Sequence, residues 1–155
     1  MRQLKNLGSY YSISDAIRDI ETIYDEFSSR PIERHCVLTT TCCHFLQTGK
    51  TPFLTKGEAL VALRELRRSG RKEAPKRKDG ACRFLHQKTA RCLIYQGRPL
   101  GCRTHFCQAA GGVYPREAVI DLIHRLEEID QKLYGSGAQT LDRAIDTALK
   151  ELPTF

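Results

Sequence analysis

The sequence predicts a mostly α fold, a small helical domain built around an irregular cysteine-rich segment with the character of a metal site. Three observations lead there. Apolar residues recur at three- and four-residue spacing on both flanks, strand-like alternation is scarce, and all seven cysteines lie between residues 36 and 107. At 155 residues the expectation is one domain over 1–155, with its cysteine-cluster core at about 35–107 and flanking helices at about 14–29 and 115–152.

The elements follow in chain order. Ser14 precedes Ile17, Ile20, Tyr24 and Phe27, and Ser28-Ser29-Arg30-Pro31 stops the run, which predicts a helix of about four turns over 14–29. Thr55-Lys56-Gly57-Glu58 has the form of a capping box before Leu60, Leu63 and Leu66, with Gly70 placed to end that helix. Pro115 suits a first helical position ahead of Val119, Leu122, Leu126, Ile129 and Leu133, and Gly135 closes the stretch. A last helix runs from about Leu141 to Leu152, with Ile145, Ala148 and Leu149 as its stripe and Pro153 as its stop. Only Val37-Leu38-Thr39-Thr40 and Cys92-Leu93-Ile94-Tyr95 read as extended. Gly111-Gly112 reads as a hinge, and Arg71 to Gly80 as a loop.

Composition narrows the class. With 41% hydrophobic and 28% charged residues the chain should fold. No stretch approaches the roughly 20 apolar residues needed to cross a bilayer, and the N-terminus lacks a signal-like apolar region, so the expectation is a cytoplasmic protein without a membrane partner. Thiols stay reduced in that compartment, and an odd number cannot pair completely. Metal ligation, a reactive thiol or buried structural thiols are the uses left.

The net charge of +7 is unevenly spread: residues 33–110 carry 16 basic and 5 acidic side chains, and the flanks are slightly acidic. Arg64, Arg67, Arg68, Arg71, Lys72, Lys76, Arg77 and Lys78 dominate. Such a run can contact nucleic-acid phosphates, offset the negative charge of a thiolate-ligated centre, or form an ordinary solvated face.

The cysteines stand at Cys36, Cys42, Cys43, Cys82, Cys92, Cys102 and Cys107. None forms C-x2-C, which argues against zinc ribbons, the bacterial ferredoxin run and a thioredoxin-like pair. Ligands this dispersed require the loops at 36–43, 82–92 and 102–107 to converge. Adjacent side chains in an extended segment point to opposite sides, so Cys42 and Cys43 do not readily serve one metal.

Cys36-x5-Cys42-Cys43, Gly80-Ala81-Cys82-Arg83-Phe84-Leu85, Cys92-Leu93-Ile94-Tyr95 and Arg98-Pro99-Leu100-Gly101-Cys102-Arg103 together resemble the YkgJ-type cysteine-cluster family of zinc- or iron-chelating domains. The resemblance covers about residues 35–107, and Thr55 to Glu58 stands where such proteins carry a leucine-threonine stretch ending in glutamate. Thr39 departs from the pattern, since many members carry a cysteine there; its role would pass to another residue such as Cys107 or a histidine. The resemblance implies metal chelation through Cys36, Cys42, Cys43, Cys82, Cys92 and Cys102. Related cysteine sets occur in flagellin lysine N-methylases, but a likeness alone assigns no reaction.

Donor chemistry separates the metals only partly, because four thiolates satisfy tetrahedral zinc or a [4Fe–4S] cube. The excess of cysteine and the nearby Arg83, Arg91, Arg98 and Arg103 favour an iron–sulfur cluster or iron, with zinc as the alternative. His35, His44, His86 and His105 each lie within four residues of a cysteine and are candidate nitrogen ligands, His105 foremost. His124 reads as a half-exposed helix residue. Three function classes follow: an iron or iron–sulfur protein serving electron transfer, metal handling or a modifying enzyme, with a protein or redox partner; a zinc-stabilised module binding nucleic acid or protein through its basic run; and a thiol redox enzyme or sensor. No Gly-rich phosphate loop or paired-carboxylate signature is present, and nothing selects one cysteine as a nucleophile.

Overall fold

The computed structural model describes residues 10–31, 43, 49, 51–105 and 111–151. Cys36, Cys42, Cys107, His35, His44 and the expected extended run 37–40 lie outside the described residues.

Among the described residues the fold is mostly α. Helix α1 spans Ile13–Ser29, and its N-cap is Ser12 rather than a residue at the expected Ser14. The reason is local: Asp15 stands three residues beyond Ser12, and the two side chains satisfy each other's backbone N–H groups in a reciprocal capping box. Helix α2, Lys56–Arg68, starts from the capping box of Thr55 and Glu58 that its sequence announces. Gly70 follows its C-cap in the left-handed region at φ 87°.

Helix α2 is buried nearly all round, from Gly57 through Leu63 and again at Leu66, which makes it the axis of the molecule. Helix α1, helix α4 (Ile120–Lys132) and helix α5 (Leu141–Glu151) pack against it. Gly57 permits the closest approach, since a Cβ there would stand 2.3 Å from Cδ1 of Ile20. One cluster of buried side chains runs through Ile20, Leu60, Leu63, Leu122 and Ile145, and continues into the irregular stretch at Phe84, Leu85 and Ile94.

Two expected elements change and two others are new. Pro115 is extended and leads a 3-10 turn over Arg116–Val119, and the α-helix begins only at Ile120 because Val119, at φ −126° and ψ 11°, interrupts the helical backbone. Cys92 to Tyr95 is not a strand: Cys92 makes a single antiparallel bridge to Leu85, and the chain then turns into a 3-10 helix at Tyr95–Gly97. Helix α3, the single turn Leu100–Arg103, was not expected. The sheet is also new, an antiparallel pair of β1 (Phe53–Leu54) with β2 (Gln139–Thr140) that joins the start of α2 to the start of α5.

Candidate metal centre

The segment from residue 71 to residue 105 carries three of the expected ligands, and its local folding explains the motifs around them. Phe84 is fully buried, and Leu85 and Ile94 are nearly so, so the apolar letters of C-x-F-L and C-x-I-Y are anchors in the core. Each cysteine stands two residues before its anchor. A turn closed by Leu85 N–H donating to the Cys82 carbonyl (3.0 Å), and bonds from His86 N–H to Arg91 O (2.8 Å) and Leu93 N–H to Phe84 O (2.7 Å), fold 82–85 against 91–93. Cys82 and Cys92 are thereby brought together, close enough for the charge of one to act on the other. Cys43 joins them from a distant part of the chain, its carbonyl accepting from Cys82 N–H at 2.6 Å.

Cys102 occupies a different setting. It lies half-buried in α3, a turn started by Pro99 in extended conformation, and acts electrostatically on Tyr24 of α1. Among the described residues, no three His, Cys, Asp or Glu side chains stand close enough to share one ion. Cys43, Cys82 and Cys92 thus form a partial convergence. Cys102 approaches the α1 side instead.

A sequence model of the CxxCxxCC family, described as "Putative zinc- or iron-chelating domain", matches residues 34–128. The chain belongs to this family. Membership supports metal binding in general, with zinc and iron both fitting. No curated protein and no solved structure matches the chain. The pattern in the name of this chelating family falls on Cys36 to Cys43, where Thr39 replaces its second cysteine.

The sulfur donors fit either metal, because thiolate is the ligand common to zinc sites and iron–sulfur clusters. Burial pushes the Cys82 thiol up to about 12, helped by Cys92 and Asp142 and opposed by a backbone N–H and Arg83. A buried sulfur of this kind is a neutral thiol at pH 7, and a soft cation is what would draw its proton off.

Three of the four arginines around the site, Arg83, Arg98 and Arg103, are structural clamps. Arg83 is buried; its guanidinium donates to the Ala74 carbonyl (2.6 Å) and to Asp146 (2.9 Å), and pairs with Asp142, so α5 holds the Cys82 turn. Arg98 lies 3.9 Å over the Tyr95 ring and donates to the Tyr95 carbonyl. Arg103 lies 4.1 Å over the Tyr24 ring and donates to the carbonyls of Arg98 (2.7 Å) and Gln96 (2.6 Å). Arg91 is exposed. The sequence assigns these four to an anionic cluster; the charge of Arg83 acts on Cys82.

His86 also has structural work, since its Nδ1 accepts from the N–H groups of Lys88 and Thr89 at 3.1 Å each. Only its Nε2 remains for a metal. His105 is half-buried just beyond α3, and His124 is exposed on α4. Three cations of the basic run are used within the fold: Arg64 pairs with Glu21, Lys76 with Asp146, and Arg77 with Asp79. That weakens the phosphate-binding reading of the run.

Sequence reasoning missed the carboxylate of Glu58 as part of this region. It is buried, and beyond Thr55 its acceptors serve Leu100 N–H (2.8 Å) and the Tyr24 hydroxyl (3.2 Å). Burial raises its pKa above the ordinary value, against the pull of those hydrogen bonds. Its helix cap was legible as a three-residue spacing. Its bond to Leu100, 42 residues away, has no local signal.

Proposed function

We propose that the chain holds iron, as an iron–sulfur centre with [4Fe–4S] favoured or as mononuclear iron, through Cys43, Cys82, Cys92 and Cys102, with Cys36, Cys42 and Cys107 in reserve. The observation that carries this reading is the convergence of Cys82, Cys92 and the Cys43 backbone at the edge of the core, within a family of zinc- or iron-chelating domains. Cys102 enters through the resemblance and through its firmly held turn. Electron transfer, metal handling and service to a modifying enzyme all use such a centre, with a protein or redox partner. Tyr95, Arg98 and Pro99 scaffold the loop and are not ligands.

Anaerobic purification with metal analysis and a visible spectrum tests the metal. Brown protein with iron and sulfur-to-iron absorption is expected, whereas colourless protein with stoichiometric zinc replaces iron by the zinc alternative. Cys92→Ser and Cys102→Ser are each expected to strip most of the metal. Full retention in both variants would sink the ligand assignment.

A further inference from the structure

Both long N-terminal helices begin with a capping box, and the two boxes are not alike. In α1 the acidic partner, Asp15, is only partly buried and serves Ser12. In α2 the partner, Glu58, is 3% exposed and takes four donors: the N–H and hydroxyl of Thr55, the N–H of Leu100 and the hydroxyl of Tyr24. Capping a helix does not require burying a carboxylate, as α1 shows. Burial is costly unless every lone pair is used. The additional partners of Glu58 are therefore the feature to explain, and they lead to α1 and to the first residue of α3.

The turn carrying Cys102 is tied at both ends. Glu58 holds Leu100 at its start. At its end Arg103 reaches back to the carbonyls of Gln96 and Arg98 while its guanidinium rests on the ring of Tyr24, the same residue whose hydroxyl donates to Glu58. Gly97 completes the fit, because a Cβ there would stand 2.8 Å from Cβ of Glu65 and 3.3 Å from the Val61 carbonyl. The 3-10 turn Tyr95–Gly97, which leads into the Cys102 turn, thus lies directly on α2. Leu100 and Arg103, which bracket Gly101 and Cys102, are both held in place.

We propose that Glu58, with Tyr24, is a positioning residue that holds the turn from which Cys102 reaches the metal, so that the backbone of this ligand is set by the packing of α1 and α2 before metal arrives. The inference rests on the reading of Cys102 as a ligand. Outer partners that orient ligands commonly contribute about ten- to hundredfold in metal affinity. Glu58→Gln is the sharpest change, because the amide keeps the shape but turns an NH2 group toward backbone N–H donors.

The test is metal affinity by chelator competition, with zinc and with cobalt, and the sulfur-to-cobalt absorption of the substituted protein. Glu58→Gln is expected to weaken affinity about ten- to hundredfold and to shift the cobalt band. Tyr24→Phe, which leaves the α2 cap intact, is expected to move both readouts in the same direction by less. Leu126→Ala truncates a buried side chain of α4 that takes no part in the hydrogen bonds holding Leu100 and Arg103, and is expected to leave affinity and band unchanged. Should Glu58→Gln and Tyr24→Phe match the parent in affinity and band, the positioning role is overturned. Should Leu126→Ala lower affinity as much as Glu58→Gln, general stability explains the effect and the role is again overturned. A parent that binds metal while Cys102→Ser binds it equally well overturns the ligand reading beneath.

Discussion

The helical frame and the ligand-bearing stretch 71–104 are held by different forces. Helices α1, α2, α4 and α5 present apolar stripes to one another, and their polar contacts are mostly caps and surface pairs such as Arg30 with Asp121, with a buried bond added at Tyr24 to Glu58 and a part-buried one at Lys56 N–H to Asp130. The stretch contributes few core side chains, chiefly Phe84, Leu85, Ile94 and Leu100. Directed polar clamps do the rest: Arg83 to α5, Arg77 to the Leu85 carbonyl, Glu58 to Leu100 and Arg103 to its own loop. Apolar burial tolerates sliding, whereas a hydrogen bond fixes direction. A segment that must aim sulfur atoms is accordingly held by bonds that aim.

Ligand bonds can staple an irregular segment that buries little apolar surface, and the described part of this one has anchors and clamps of its own besides. The largest test of that point is Phe84→Ala. Phe84 is fully buried in the core cluster, and truncation is expected to cost about 3–5 kcal/mol. Urea unfolding of the metal-free protein measures it. A loss below about 1 kcal/mol would mean that the stretch contributes no anchor without metal, and the contrast between regions would revert to metal alone.

The frame was legible in the sequence because its signals are local. Ile17, Ile20, Tyr24 and Phe27 mark a face by spacing, and Thr55 with Glu58 marks a cap three residues long. Ser14 misled because a capping residue is identified by its reciprocal partner, and Asp15 answers to Ser12. The stretch was legible in its letters but not in their roles. Phe84 and Ile94 looked like parts of a metal motif and are core anchors, while Arg83 looked like a neighbour of the cluster and is chiefly held by Asp146 and Ala74. Asp146 lies 63 residues along the chain from Arg83, and no short spacing encodes that partner. The pairing of β1 with β2 escaped for the opposite reason, since two-residue strands are too short to show alternation.

The next effect in size concerns metal removal. On chelation, hydrogen exchange is expected to accelerate through residues 82–103 while Leu122 to Ile129 in α4 stays protected, because ligand bonds act on the stretch and apolar packing on the frame. With metal present at a hundred times its Kd, linkage sets the change at about a hundredfold in the stretch. Equal exchange with and without metal would remove metal from the forces holding it. Equal acceleration in both regions would erase the distinction between them.

The smallest effect tests a clamp from the frame's side and through pH. Asp146 of α5 is pushed up by burial, but hydrogen bonds from Arg83 and Lys76 outweigh that and hold its carboxyl below the ordinary aspartate value. A depressed carboxyl contributes stability that is fully present above its unfolded pKa and is lost as pH falls through the folded one. The Arg83 side chain is 5% exposed and that of Asp146 39%, so solvent screening limits the pair, and Asp146→Asn is expected to cost about 0.5–1 kcal/mol at neutral pH. The difference between parent and variant should then close on acidification, once the parent carboxyl is protonated. Glu58 runs the other way. Its raised pKa means the folded chain keeps that proton to higher pH than the unfolded chain does, so its contribution to stability falls as pH rises from the ordinary glutamate value through the folded one. Urea midpoints for the parent, Asp146→Asn and Glu58→Gln across the acidic range should therefore diverge in opposite directions from the two clamps. Parallel curves for all three would mean that neither carboxylate distinguishes the stretch from the frame.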